Sequence, residues 1–222
     1  MRRSIVTILA LVALLAGSGT AEAQVQWGLK GGLNFSNVDS DDAIFGENET
    51  RKGVAVGTFM TFGSAAFISW QPEVIFSQLG TEFVNSGVES ELKTNYIQIP
   101  VLARFNFGAA PGEGMRPHLL LGPYLAINID CDIDIGDGPG TDCSEEDETA
   151  AGYPTIKGTD WGGVFGGGLE FSGARGSLYI DGRYNLGLAD LFDDESLSTG
   201  DDNAKQNAWT VLIGFGMRLG GN

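Results

Sequence analysis

The sequence has few basic residues, one histidine and two cysteines, and these shortages narrow the range of functions. Thirteen Lys and Arg residues stand against 29 Asp and Glu residues, which gives a formal net charge of −16. Nucleic-acid binding needs clustered Lys and Arg to neutralise phosphates, so the composition argues against such a partner. A structural metal site needs more Cys or His ligands at short spacing than this chain offers. We therefore expect no nucleic-acid partner, no metal centre and no cofactor.

Long apolar runs are missing after the first residues, so no later window predicts a transmembrane helix. At the start of the chain, two arginines precede an apolar segment, Ile5 to Ala16, and an Ala-Glu-Ala motif follows at 21–23. This order is typical of a secretory signal peptide, and the apolar segment is too short to span a bilayer. We predict that residues 1–23 are removed and that residues 24–222 form a single exported domain.

The mature chain shows a regular alternation of apolar and polar residues, most clearly in Thr94–Phe107. A period of two indicates a β-strand with different surroundings on its two faces, and a tilted strand needs roughly 9–11 residues to cross a bilayer. The pattern recurs and predicts eight strands, an even number as in bacterial barrels. The predicted strands are Gln26–Asn37, Gly53–Phe62, Ala66–Gln78, Thr94–Phe107, Pro117–Ile129, Asp160–Phe171, Ser177–Leu188 and Ala208–Leu219.

The predicted connections alternate between short Gly-rich turns and long acidic loops. Outer-membrane barrels are built in this way, with the long loops extracellular, so we expect an antiparallel up-and-down barrel with both termini in the periplasm. The short connections are Gly63–Ala65, Gly108–Met115 and Ser172–Gly176, the long ones are Asn37–Lys52, Asp130–Thr159 and Leu191–Asn207, and Val84–Leu92 is intermediate.

Alternation alone does not show which face of the barrel is apolar, because a soluble lipocalin-type barrel would place its apolar face inside. The volumes of the side chains decide between the two. All four tryptophans fall on the apolar face, whereas the other face is rich in Gly, Ala, Ser and Asn. Eight strands leave room inside for small side chains only, so the apolar face is predicted to meet lipid. Tryptophans near strand ends are typical of an interfacial girdle.

Four segments carry a resemblance to a known family: G-L-K-G-G-L-N-F-S, Y-I-Q-I-P-V-L-A-R-F, L-G-P-Y-L and R-Y-N-L-G-L-A-D-L. In their order and spacing they resemble the PorT-like outer-membrane β-barrel family over nearly the whole mature chain. The resemblance implies a small outer-membrane barrel from a Bacteroidetes-like organism. Some members are linked to protein secretion for gliding, and most have no assigned activity. Many such barrels end on an aromatic residue, whereas here Gly-Gly-Asn follows Leu219.

Two features of the acidic loop after Asp130 suggest chemistry. Cys131 and Cys143 are an even pair in an exported protein, which predicts a disulfide. Five aspartates from Asp130 to Asp142 resemble a calcium loop, but the EF-hand pattern needs Gly and Glu where this chain has Ile135 and Thr141. Weak binding of divalent cations that bridge lipopolysaccharide phosphates stays open, and a solvated acidic loop is the favoured interpretation.

The remaining motifs favour structural roles. His118 is the only candidate general base, yet no G-x-S-x-G elbow accompanies it and its predicted place is near a periplasmic turn, so a girdle or turn residue is favoured over a catalytic one. The run Gly162–Gly168 lacks the G-x-G-x-x-G spacing of a dinucleotide site and instead fits a curved strand.

Charges of both signs fall on the inward face, which indicates a paired network because isolated buried charges are costly. The predicted network consists of Lys30, Glu73, Arg104, Glu170, Asp181, Arg183 and Arg218. We expect a non-enzymatic outer-membrane barrel with a filled lumen and a structural, interaction or secretion-accessory role. Its partners are outer-membrane lipid and other envelope proteins. The alternatives are a narrow transporter or pore for small or apolar solutes, and a lipid-modifying enzyme.

Overall fold

The structure is a computed structural model of the protein. The structure describes residues 25–40, 47–85, 88–108, 114–135, 141–142, 158–173, 175–189 and 204–219. The predicted signal peptide lies outside these residues and stays a prediction. Within the described ranges, no helix has the length and apolar character that crossing a membrane requires.

Eight long strands and two short ones make up a single sheet. The short strands, Glu47–Glu49 and Thr141–Asp142, extend the sheet at one end of the molecule. They pair with the long strands Ile68–Asn85 and Gly114–Ile135, respectively. The long strands are β1 Val25–Ser40, β2 Arg51–Thr61, β3 Ile68–Asn85, β4 Val88–Asn106, β5 Gly114–Ile135, β6 Thr159–Gly173, β7 Gly176–Gly187 and β8 Ala204–Leu219.

The long strands close into a barrel. Each pairs antiparallel with its neighbours in the chain, and β1 pairs with β8 from Val25 opposite Leu219 to Ser40 opposite Ala204. The predicted fold, an eight-stranded antiparallel up-and-down barrel, is confirmed. Its turn end carries the connections β2–β3, β4–β5 and β6–β7 together with the start of β1 and the end of β8. The opposite end is called the loop end.

The outer surface is apolar and the inner surface is not. Trp70, Trp161 and Trp209 are each more than half exposed, and the leucines and isoleucines on the same face are similarly open. Inward positions hold buried polar, charged and small residues, with apolar side chains grouped in one part of the lumen. This is the arrangement of a barrel surrounded by lipid, and the opposite of a lipocalin-type barrel.

The prediction of a loop at Val84–Leu92 was wrong. The β3–β4 ladder continues through this region, from Leu79 opposite Thr94 to Asn85 opposite Val88, so the two strands form one long hairpin. Polar residues stand on both faces here. Beyond the bilayer both faces of a strand meet water, so the alternation that marks a strand in the sequence is lost while the backbone pairing persists.

The ladder between β2 and β3 is interrupted towards the loop end. Regular pairing runs only from Ala55–Ser77 to Phe59–Glu73. Further along, side chains take over the hydrogen bonding of the β3 carbonyls. Asn34 donates to Gln78 O at 3.1 Å, Ser36 to Gly80 O at 2.8 Å and Arg51 to Leu79 O at 2.7 Å. Residue 80 has φ of +138°, a conformation that favours glycine.

Candidate functional site: a charge network across the lumen

An ion-pair cluster fills the turn-end half of the lumen and is built around two carboxylates on opposite walls. Lys30 on β1 lies 2.5 Å from Asp181 on β7 and 3.2 Å from Glu73 on β3. Arg183 binds Glu73 with two nitrogens, at 2.5 and 2.8 Å, and also contacts Asp181 at 3.0 Å. A guanidinium that grips a carboxylate through two parallel bonds has its geometry fixed. Three strands are thereby tied together through the interior.

A second group surrounds Glu170 on β6, nearer the turn end. Arg104 on β4 donates to Glu170 Oε2 at 2.6 Å. The Glu170 Oε1 atom accepts longer bonds from Tyr179 at 3.3 Å and Gln26 at 3.4 Å. Arg116 is farther away, with its Nη1 atom 3.9 Å from Glu170 Oε2. Glu170 is therefore held mainly by Arg104, and no carboxylate of a described residue lies closer than 3.9 Å to Arg116.

His118 on β5 connects the two groups. Its Nε2 atom lies 2.8 Å from Asp181 Oδ1, and its Nδ1 atom lies 3.4 Å from Arg104 Nη2. Arginine can only donate, so Nδ1 is the acceptor, and a hydrogen on Nε2 then points at Asp181. The neutral ring satisfies both neighbours. Gly168 on the next strand makes room for this contact, because a Cβ there would lie 2.8 Å from Nε2 and 2.4 Å from Asp181 Oδ1.

Buried apolar side chains fill part of the lumen between the charge network and the loop end. Each is at least nine-tenths buried, and they form two groups of contacting residues. The groups are Leu79, Tyr96, Leu102, Leu120, Tyr124, Ala126, Val164 and Ala208, and Ala55, Ile75 and Leu212. Neutral polar side chains fill the rest of this level, where Asn185 donates to Thr210 at 2.8 Å and Thr210 donates to Asn34 at 2.8 Å.

A smaller exposed network lies at the loop end, beyond the two groups of buried apolar side chains. Lys93 contacts Asp134 at 2.5 Å and Glu91 at 3.2 Å, and Arg51 reaches Glu91 at 2.7 Å. Hydrogen bonds to Asp134 and Glu91 raise the pKa of Lys93. These side chains, except Arg51, are about a third exposed, so water screens their attraction.

The structure places six of the seven predicted lumen charges inside the barrel and brings them together in the network just described. Arg218 was predicted wrongly. It is exposed at the turn end and donates to Gly173 O at 3.4 Å. Its inward parity was correct, but it is the second-last residue of β8, where the wall no longer encloses a lumen.

Two members of the network were missed. His118, predicted as a girdle or turn residue, is 3% exposed and faces inward. In the predicted strand, His118 falls on the face opposite to Leu119 and Leu121, and this alternation indicated an inward position. Arg116 is equally buried but precedes the predicted start of its strand at Pro117, so no alternation test included it.

The region of the predicted disulfide is described in part. A register shift between β4 and β5, from Asn95 opposite Asp130 to Tyr96 opposite Asn128, places one extra residue in β5. After this bulge Cys131 faces inward and is 1% exposed, and no described cysteine is free. Cys143 lies outside the described residues, so the Cys131–Cys143 pairing stays a prediction. Asp137 of the suggested calcium loop also lies outside them.

The features of a hydrolase are not assembled around His118. Both ring nitrogens are engaged by Arg104 and Asp181, so no hydroxyl of a described residue bonds to the ring. Among the described residues, no group of three His, Cys, Asp or Glu side chains has the arrangement to hold a metal ion. On this geometry, the site can hold the strands of the barrel together across the lumen.

Comparison with known proteins agrees with this architecture. Residues 18–193 of the 222 match the model of the outer membrane protein beta-barrel domain. The chain belongs to this family. Membership in the outer membrane protein beta-barrel family supports localisation in the outer membrane. No curated protein matches the sequence.

Solved structures similar to this family member include the outer membrane protein OprG. OprG of Pseudomonas aeruginosa is 13% identical, with a TM-score of 0.51 over 90% of this chain and 98% of that one. Ail, the attachment invasion locus protein of Yersinia pestis, is 16% identical with a TM-score of 0.46, over 87% of this chain and 99% of the other. Neisserial surface protein A is 14% identical with a TM-score of 0.47, over 87% and 97%. At these identities, the likeness to OprG shows the fold alone.

Proposed function

We propose that the protein is a non-conducting outer-membrane barrel that acts as a structural, interaction or secretion-accessory component. The observation that carries this proposal is a lumen filled by the protein's own side chains. Lys30, Arg183 and their two carboxylates cross it from wall to wall at 2.5–3.2 Å. Above them the lumen is filled by buried apolar side chains and by hydrogen-bonded polar ones such as Asn34, Asn185 and Thr210. An eight-stranded barrel offers little interior beyond what its own side chains fill.

The proposed orientation has the turn end in the periplasm and the loop end outside the cell. Short turns on one side and long loops on the other support it, since long loops are extracellular in this class of barrel. The β3–β4 hairpin and the acidic loops then form the outward surface. The apolar outer surface contacts outer-membrane lipid. The loops are the surface available to other envelope proteins and, weakly, to divalent cations.

The secretion-accessory part of the proposal rests on the PorT-like resemblance, which the order and spacing of four sequence segments support. Two of these four segments lie in barrel strands. The G-L-K-G-G-L-N-F-S segment is part of β1, and the Y-I-Q-I-P-V-L-A-R-F segment is part of β4. Co-purification of the protein from native outer membranes, followed by mass spectrometry, tests this part. Enrichment of components of a secretion system supports it, and recovery of lipid alone contradicts it.

Conductance in planar bilayers tests the closed lumen. Folding is verified first by the change of gel mobility on heating. Wild-type protein should give no steady conductance. A conducting outer-membrane porin reconstituted in the same bilayers controls for insertion and for the sensitivity of the measurement. A large, stable wild-type conductance would refute the proposal and move the pore interpretation to first place.

A second candidate function, a narrow transporter for small or apolar solutes, is favoured by the interrupted β2–β3 ladder. Side chains hold that part of the wall, and side chains rearrange more easily than a backbone ladder. Arg51→Gln removes the contacts to Leu79 O and Glu91 at 2.7 Å each. If the protein is a transporter with a gate here, this variant should change solute efflux from liposomes. Equal and negligible efflux from both proteins supports the closed barrel.

A further inference from the structure

The turn end of the barrel contains a pocket of about 510 Å³ with an unusual composition. Its walls include the rings of Phe67 and Phe107, whose centroids lie 5.6 Å apart at an interplanar angle of 82°. Its polar lining comes from Asn106 and Arg116. Asn106 is already engaged, because its amide donates to Ala66 O at 3.0 Å and to Ser69 Oγ at 2.9 Å. Arg116 is the polar group that remains for a ligand.

Arg116 is a buried cation whose hydrogen-bonding capacity is mostly unused. It is 3% exposed, and its Nη1 atom donates to Ser64 O at 2.9 Å. Its Nε atom is buried and has no hydrogen-bond partner among the residues that the structure describes. Among the described residues, the nearest carboxylate oxygen, on Glu170, is 3.9 Å away and is already bonded by Arg104 at 2.6 Å. A guanidinium with a free Nε edge is suited to a planar, two-oxygen anion.

The charges of the buried network do not balance. Four cations face three carboxylates, since His118 is neutral with its ring nitrogens engaged by Asp181 and Arg104. Within the described part of the chain one positive charge is left over, and Arg116 is the cation without a described carboxylate in hydrogen-bond range. An uncompensated buried charge is costly, so an anion that reaches it is bound favourably. The cations are Lys30, Arg104, Arg116 and Arg183, and the carboxylates are Glu73, Glu170 and Asp181.

We propose that this pocket binds a small carboxylate with an apolar substituent. The carboxylate accepts hydrogen bonds from the guanidinium of Arg116, and the substituent packs against the edge-to-face pair of rings of Phe67 and Phe107. An apolar wall with one convergent charged group is the usual composition of a small-molecule site. The site opens at the turn end, so its ligand comes from the periplasm in the proposed orientation. Binding here is independent of whether the lumen conducts.

Titration of the full-length protein in a nonionic detergent with benzoate, observed by saturation-transfer NMR, tests the proposal. Benzoate is water-soluble and provides both a carboxylate and an apolar ring. Saturable binding is expected, with competition by butyrate and none by benzyl alcohol. Competition by inorganic phosphate as strong as that by butyrate would show that the apolar wall contributes nothing, and would overturn the proposal. Binding that appears only at molar benzoate would also overturn it.

Variants locate the site. Arg116→Gln should weaken benzoate binding at least tenfold, whereas Arg175→Gln, which removes an exposed arginine from the same end, should leave it unchanged. Arg116→Lys keeps the buried charge and should fold even if the glutamine variant does not; it should bind several-fold more weakly because the fork is lost. Equal affinity of wild-type protein and both Arg116 variants would refute the assignment.

Glu113 precedes Arg116 by three residues and lies outside the described residues. The variant Glu113→Gln tests whether this carboxylate competes with a ligand for Arg116. Benzoate should bind this variant at least as tightly as it binds the wild-type protein. Binding by Glu113→Gln with none by the wild-type protein would mean that the chain neutralises its own arginine, and the proposal would fail.

Discussion

Asp181→Asn is the substitution that tests the lumen network most sharply. Asp181 is fully buried and accepts hydrogen bonds from Lys30 at 2.5 Å, His118 at 2.8 Å and Arg183 at 3.0 Å. Asparagine has nearly the same shape but no charge, and its amide hydrogens would face other donors. The substitution leaves no cavity, so its cost reports the charge and the hydrogen bonds.

The chain offers a matched control in Asp134→Asn. Asp134 also lies 2.5 Å from a lysine, Lys93, but both side chains are about a third exposed. Breaking a buried pair from one side costs about 3–5 kcal/mol. An exposed pair contributes about 0.2–1 kcal/mol. At 1.4 kcal/mol per tenfold, the Asp181 variant should lose roughly 100- to 4,000-fold in its folding equilibrium and the control at most about fivefold.

Urea unfolding in lipid vesicles, followed by tryptophan fluorescence and by gel mobility, measures both variants under one condition. The double variant Lys30→Met/Asp181→Asn removes one charge of each sign and should recover part of the loss. A cost for Asp181→Asn within 1 kcal/mol of that for Asp134→Asn would refute the reasoning. It would mean that water reaches the network and screens it, and the lumen would then be open to ions as well.

The remaining predictions concern packing, redox state and orientation. Gly168→Ala should lower the free energy of unfolding by about 1–3 kcal/mol, because its Cβ would lie 2.4 Å from the Asp181 carboxylate. Gly182→Ala is the control: a Cβ there meets nothing within 4 Å, so the free energy of unfolding should not change in the same assay. Thiol labelling of unreduced, denatured protein should detect neither Cys131 nor Cys143, and stoichiometric labelling of both would exclude a disulfide. Protease added to intact cells should cleave within Asp130–Thr159, and cleavage at the short turns instead would invert the proposed topology.

The sequence was most informative where lipid and lumen impose opposite demands on the two faces of a strand. Inside the bilayer every second residue must be apolar, so Thr94–Phe107 could be recognised from alternation alone. Outside it the demand disappears, which explains why the outer half of the β3–β4 hairpin resembled a loop. Strand length beyond the membrane depends on backbone pairing between strands, and that is not written in the periodicity of either one.

The membership of the charge network was predictable in part for the same reason. Parity indicates which way a side chain points, and it assigned Lys30 and Asp181 to one interior. Parity does not indicate the depth of a residue along the barrel axis, so Arg218 was placed in a lumen that ends before it. Nor does it indicate partners: that His118 bridges Asp181 and Arg104 depends on the space left by a glycine on the adjacent strand.

The route of the ion pairs across the barrel has a consequence for the lifetime of the folded state. Lys30 is on the first strand, and its partner Asp181 is on the seventh, on the far side of the β1–β8 junction. These contacts form only after the junction has closed, so they are absent from an unclosed transition state. Interactions of that kind slow unfolding and leave the folding rate nearly unchanged. Once closed, the barrel should therefore persist for kinetic reasons, even where its equilibrium stability is ordinary.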